Sequence, residues 1–402
     1  MDSRKRVRLI LNHQEADRPA IDLGGTHVTG MSIWTYRALK EALGVGGGRA
    51  RVGEIMQMLA EIEPFVQDAL GGDFRTVPQP SMSFGLQRGK WKPYTFWDGQ
   101  TFEVPAGFAP KVHSDGSLEL VNPNGHPVRL PNGGWFFDDL VPRGYQDSLE
   151  IELIPESEWK FTDTLPEDYL CEQEMLAKDL YESTDKALVA CPPLRAPQGY
   201  CGSWWPLILR TEPDHCLEYM MRAGEAAAKC FTEYLEAVGD YIDVVGISYT
   251  DYGYQDREAF RPHLFQEFFV PSWKLVTDAI HRFPHVKTFI HCDGSVPNLV
   301  PYFIEAGVDC LNPVQWTAQG MDLRWLKTAF GERIVFWGGA ISTQRTLPFG
   351  SAEDVTRETQ EVLKIMAPGG GFVAAAIHNI LPEVPVENIL ALYLALRAYR
   401  YR

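Results

Sequence analysis

The sequence predicts an α/β protein, a (βα)8 barrel of the TIM type, and three observations carry that expectation. From about Lys186 onward, short apolar runs alternate with long amphipathic stretches, as they do where strands and helices are laid down in turn on a parallel sheet. Polar residues and glycines stand directly after the apolar runs, at the strand ends where α/β folds bind ligands. The 402 residues, 45% hydrophobic and 22% charged, suffice for a large core in one big domain or two moderate ones. We read one barrel domain over residues 1–402. An open doubly wound sheet is the other arrangement that the alternation allows.

A first strand is expected over Ala20–Leu23, ending in Gly24-Gly25-Thr26-His27. Residues 74–157, read as an insertion after the first βα unit, are rich in Pro, Gly, Trp, Phe and Tyr. Turn signals fall there at Asp98-Gly99, Asp115-Gly116, Asn124-Gly125 and Asn132-Gly133, the pattern of β-hairpins. Such a flap either covers the barrel mouth or makes an oligomer contact. Its Trp91, Tyr94, Phe96 and Trp97 either touch a substrate ring or pack within the flap. Further strands are expected over Ala187–Ala190, Ile242–Ser248, Lys287–His291, Val308–Leu311, Ile334–Trp337 and Phe372–Ala376. Helical periodicity marks Pro213–Gly239, Arg261–Phe283, Val296–Ala306 and Ser351–Met366 between them.

The formal net charge of −16 argues against nucleic acid or an anionic membrane as partner, because both require a basic face. Met1-Asp2-Ser3-Arg4-Lys5-Arg6 leads into only a short apolar patch, so neither a signal peptide nor a membrane span is expected. Seven cysteines without CxxC spacing, Cys171, Cys191, Cys201, Cys216, Cys230, Cys292 and Cys310, fit a reducing, cytoplasmic compartment.

The stretch Phe289-Ile290-His291-Cys292-Asp293-Gly294 runs from an apolar strand straight into three adjacent metal-ligand types and a glycine. Other strand ends carry Tyr249-Thr250-Asp251-Tyr252-Gly253, Gly338-Gly339 and Ile377-His378-Asn379. In a barrel all these ends face one side, so His27, Asp251, His291, Asp293 and His378 converge on one cavity. Ligands from separate strands with one position left open form the catalytic zinc arrangement. The bland readings are a hydrogen-bonded core histidine for His291, a small buried hydrophobe for Cys292 and a helix cap for Asp251. No HExxH, GxSxG or GxxxxGK[ST] pattern is present. Asp251, His27 and Tyr252 are taken as catalytic candidates, and Gly338, Gly339 and Asn379 as cofactor contacts.

Asp17-Arg18-Pro19, Phe289 to Gly294, Glu305-Ala306-Gly307-Val308-Asp309, Gly338-Gly339-Ala340-Ile341, His378-Asn379-Ile380-Leu381-Pro382 and Pro385-Val386-Glu387-Asn388 occur in an order that resembles the uroporphyrinogen decarboxylase superfamily. Within it, the chain is nearer the corrinoid-dependent methyltransferases. The resemblance implies a (βα)8 barrel. The decarboxylases resembled here bind propionates through arginines after the first strand, whereas Ile21 to Gly30 contains no Arg or Lys, which forfeits charge-assisted bonds. The methyltransferases resembled here bind zinc through a His-x-Cys pair and a later Cys. Those positions fall on His291, Asp293 and His378, with Cys292 as second-choice ligand.

A His/Asp/His set makes zinc a harder Lewis acid that prefers oxygen. The implied reaction is O-demethylation: a methyl group passes from a small methylated substrate, a methoxylated aromatic, to cobalamin (corrinoid) cobalt on a partner protein. The alternatives are a decarboxylase or lyase of a small or tetrapyrrole carboxylic acid, and a non-catalytic binding protein.

Overall fold

A computed structural model describes residues 1–45, 49–122, 125–140, 153–200 and 205–401. Cys201, Asn124 of one expected turn, and residues 141–152 of the expected insertion lie outside them. Eight parallel strands form one sheet. In chain order they are Ala20–Ile21, Phe74–Val77, Ala187–Ala190, Val244–Tyr249, Lys287–His291, Cys310–Asn312, Val335–Trp337 and Phe372–Ala374. The first strand pairs with the eighth and the second with the third. The remaining seam, between first and second strands, is closed by Asp73 N–H donating to the Ile21 carbonyl at 2.8 Å. The Thr76 hydroxyl completes it, donating to the carbonyls of Gly24 at 3.1 Å and Gly25 at 2.8 Å. The sheet is therefore a nearly closed (βα)8 barrel, as the sequence predicts.

Phe74–Val77 lay within the expected insertion, yet it is the second barrel strand. Arg75 and Thr76 interrupt its apolar character, so the run was not visible as a buried strand. Arg75 is nevertheless buried, its guanidinium bonded to the Asp68 carboxylate at 2.7 Å. The hairpins thus follow the second barrel strand. They form the pair Trp91–Thr95 and Thr101–Pro105 and an antiparallel sheet of Lys111–Val112, Leu118–Val121, Pro127–Leu130 and Asp138–Asp139.

Flap and barrel share a core. Trp34, on the helix Ile33–Ala42, packs its ring 5.5 Å from Phe96, 5.5 Å from Phe102 and 5.0 Å from Trp135. The Trp34 indole N–H donates to Asp98 in the hairpin turn at 2.8 Å.

Three aspartates lock strand register at the barrel's amino-terminal end. Asp73, Asp243 and Asp309 precede or abut the second, fourth and sixth strands. Each carboxylate accepts a backbone N–H from the preceding barrel strand: Ile21 at 2.8 Å, Leu188 at 3.0 Å and Thr288 at 2.8 Å. Asp73 also accepts from Arg6 at 2.8 Å and Arg18 at 2.7 Å, and Arg6 reaches on to Asp17 at 2.7 Å. Asp17-Arg18-Pro19 is thus a seam clamp. Ser351 caps the helix Ala352–Met366 in a capping box with Asp354, which is why that helix starts where the sequence predicts. No helix among the described residues is long and apolar enough to cross a membrane.

Removing Asp73 leaves two guanidinium groups facing a buried gap, whereas the Asp17 side chain is 40% exposed. Asp73→Ala is expected to cost about 3–5 kcal/mol and Asp17→Ala below about 1 kcal/mol, read from urea unfolding. Equal losses would refute the assignment of Asp73 as the seam's anchor.

Candidate metal centre

The fifth strand ends at His291, and strand alternation puts His291 and Asp293 on one face with Cys292 on the other. The loop after the eighth strand brings His378 to the same place. One ligand atom from each of His291, Asp293 and His378 lies within 4.8 Å of the others. Asp293 Oδ2 is 3.4 Å from His291 Nε2 and 3.7 Å from His378 Nε2. Donors held at about 2.0–2.2 Å from a tetrahedral ion sit roughly 3.3–3.6 Å apart, so the group fits a divalent cation with small adjustments.

A second residue fixes the chemistry of the first. His291 and Asn312 are register partners on the fifth and sixth strands. Asn312 Nδ2 donates to the Trp337 carbonyl at 3.0 Å, which turns its Oδ1 toward His291 Nδ1 at 2.7 Å. His291 therefore carries its proton on Nδ1 and presents Nε2 to Asp293, the arrangement that orients a metal-binding imidazole. Asn312 was missed from the sequence, although it ends the apolar run Val308–Leu311 as His291 ends its own.

Burial opposes charge on His291, but the Asp293 carboxylate outweighs it and raises the imidazole's pKa. Burial likewise works against ionising Asp293, and His291 prevails, holding that carboxyl below its usual range. Burial takes His378 down to about 4. His27 falls to about 3 through burial and the nearby charge of Arg195. Both are neutral rings at neutral pH. Asp251 stands at the solvent side, where its Oδ1 accepts the Asp293 N–H at 2.8 Å. Crowding by protein raises its carboxyl pKa; His291 opposes the rise, and the Asp293 charge adds to it.

The remaining candidates are placed differently. The Cys292 sulfur is buried and accepts the Tyr252 N–H at 3.2 Å, outside the His/Asp/His group. Tyr252, taken as a catalytic candidate, is buried and enclosed by Phe260, Phe265, Phe269 and Trp273. Gly338 has φ +85°, and a Cβ there would meet Asn312 Nδ2 at 3.1 Å and the Ala376 carbonyl at 3.0 Å. Its missing side chain makes room for Asn312. A Cβ on Gly339 would similarly strike the Val314 carbonyl at 2.6 Å. Asn379 accepts from Gly30 N–H at 2.7 Å and donates to the His27 carbonyl at 3.1 Å and to Gln57 at 2.9 Å. It ties the loops carrying His27 and His378 together.

Beside this centre lies a cavity of about 1470 Å³ lined by Thr26, His27, Gln57, Trp91, Cys191 and Arg195, among others. The His/Asp/His group is not in its wall. The two meet through Tyr249, whose ring is 4.4 Å from His27 and 6.5 Å from His291. Of the flap aromatics, Trp91 lines the cavity. Tyr94 and Phe96 pack against each other, and Tyr94 also packs on Phe108, while Trp97 stacks edge-on against Trp135.

Substitution of Asn312 by Leu should weaken divalent-metal binding by roughly 10–100-fold without removing a ligand, measured by competition with a chelating dye. His27 also gives the fold a pH dependence. Its folded pKa of about 3 lies below the ordinary 6.5, so acid favours the unfolded chain, which binds the proton first. Its contribution is full above pH 6.5 and is lost as pH falls from 6.5 toward 3. The His27→Gln variant should show a shallower loss of stability over that window; an unchanged slope would contradict it.

Residues 207–399 match the sequence profile of the uroporphyrinogen decarboxylase (URO-D) family. No curated protein matches the chain. Among solved structures, a methyltransferase from Methanosarcina mazei shares 15% identity at TM-score 0.53, covering 99% of this chain and 98% of that one. KGPDC from Streptococcus mutans shares 12% identity at TM-score 0.28, over 58% of this chain and 84% of that one, too weak a likeness to carry an argument. The methyltransferase likeness shows a common fold along the whole chain. Residues 207–399 thus carry the uroporphyrinogen decarboxylase signature, on a barrel whose fold the whole chain shares with that methyltransferase.

Proposed function

We propose that the protein is a metal-dependent methyltransferase, transferring the methyl group of a methoxylated aromatic to the cobalt of a partner corrinoid protein. The carrying observation is the His291, Asp293 and His378 donor group with its imidazole fixed by Asn312. A nitrogen and carboxylate set without thiolate is the chemistry of a Lewis acid for oxygen. The loop Gly24 to Gly30, free of Arg and Lys, weighs against an acid-laden tetrapyrrole. The whole-chain fold likeness to a methyltransferase agrees with the reading.

His291 and His378 would hold the ion through Nε2 and Asp293 through Oδ2. When bound, zinc or a similar cation would stabilise negative charge developing on an ether oxygen. The chain's own residues then have definite tasks. Asn312 keeps His291 Nδ1 protonated and its Nε2 directed inward. Asp251 anchors the Asp293 backbone through Oδ1. Neutral His27 adds no positive charge beside the histidines. Methyl transfer would break the carbon–oxygen bond with its electron pair left on oxygen, the partner's reduced corrinoid, as methyl acceptor, bringing the pair for the new bond.

Mixed with a reduced corrinoid protein and a panel of methoxylated aromatics, the enzyme should generate methyl-cobalt absorbance and the matching phenol. His378→Ala should lower that rate at least about a hundredfold, in line with loss of an electrostatic group at the reacting oxygen. Carbon dioxide release from a carboxylated substrate without any corrinoid protein would instead establish a decarboxylase.

A further inference from the structure

Four arginines line the cavity beside the metal centre: Arg51, Arg75, Arg88 and Arg195. Three are neutralised by carboxylates. Arg51 meets Glu103 at 2.8 Å, Arg75 meets Asp68 at 2.7 Å, and Arg88 pairs with Glu61. Arg195, on the loop after the third barrel strand, has no carboxylate partner among the described residues. Its Nη1 donates to the carbonyls of Pro192 at 2.7 Å and Leu194 at 2.6 Å, and its guanidinium lies 4.7 Å over the Tyr249 ring. The two backbone bonds and the aromatic face hold the cation in place without cancelling its charge.

The geometry points to Arg195 as the binding site for an aromatic substrate's carboxylate, an anion subsite in the cavity beside the His/Asp/His group. This inference rests on the methyltransferase reading for the ether end of the substrate. Tyr249 links the subsite and that group, its ring 4.7 Å from the Arg195 guanidinium, 4.4 Å from His27 and 6.5 Å from His291. A benzene ring with its carboxylate on the guanidinium would pack beside Tyr249, whose ring also neighbours His27 and His291. One unpaired cation suits one carboxylate, in contrast to the several needed by a tetrapyrrole acid. Thr26, Thr76, Gln57 and neutral His27 in the same wall offer hydrogen bonds, and the other three arginines there are paired with carboxylates. The substrate class is therefore a methoxybenzoate rather than an uncharged aryl ether.

The test is calorimetric binding of 4-methoxybenzoate, benzoate and 4-methoxybenzamide to the purified metal-bound protein, alongside Arg195→Gln and Arg195→Lys. Wild type should bind the carboxylates roughly 10–100-fold more tightly than the amide, the range of one charge-assisted pair. Arg195→Gln should erase that preference, and Arg195→Lys should keep part of it. Equal affinity for acid and amide in wild type would overturn the subsite, a comparison that stands even if the Arg195 variants fold poorly. An acid preference that survives Arg195→Gln but vanishes in His378→Ala would place the carboxylate on the metal and also overturn it. Arg195-dependent benzoate binding without methyl transfer from any ether would leave the subsite standing and refute the demethylase reading alone.

Discussion

The register between the fifth and sixth strands is the constraint on which the centre depends. At the closed end of the barrel, the Asp309 carboxylate accepts both the N–H of Thr288, at 2.8 Å, and its hydroxyl, at 3.0 Å. That latch sets Phe289 opposite Cys310, Ile290 opposite Leu311 and His291 opposite Asn312. A slip of one residue would send Asn312 to the other face of the sheet, leaving the His291 tautomer undefined. The same device recurs at Asp73 and Asp243, so the end of the barrel remote from the chemistry aligns the end that performs it.

Much of the barrel was legible because buried parallel strands are near-continuous apolar runs. Ala187–Ala190 and Lys287–His291 have the bounds expected from sequence. Phe74–Val77 was hidden because its Arg75 is buried through an ion pair with Asp68, and no local pattern announces such a partner. Within the site, period-2 alternation was enough to prefer Asp293 over Cys292. The surroundings of Tyr252 were not legible, because the aromatic cluster of Phe260, Phe265 and Phe269 is brought onto it by tertiary packing. The glycines after the seventh strand showed that space was needed, but not that Asn312 would fill it.

Charge is distributed with economy around the mouth. The protein carries a formal net charge of −16, yet most cations near the cavity are already matched by carboxylates. Two histidines there are held neutral by burial. Among the described residues at the cavity the uncompensated positive charge is local, at Arg195, and sparse charge in a low-dielectric recess discriminates between ligands more sharply than a broad field does.

The flap's attachment has a consequence for how the chain can vary. Trp34 belongs to the barrel's own helix, yet its ring is enclosed by Phe96, Phe102 and Trp135 of the flap and its N–H by Asp98. Excising the hairpins would expose an apolar scar and orphan a polar group on the scaffold itself. The flap is therefore an organ of the barrel rather than a graft upon it, and even the hairpin tip at Asp98 is tied to the scaffold, since shortening that turn would strip the Trp34 N–H of its acceptor.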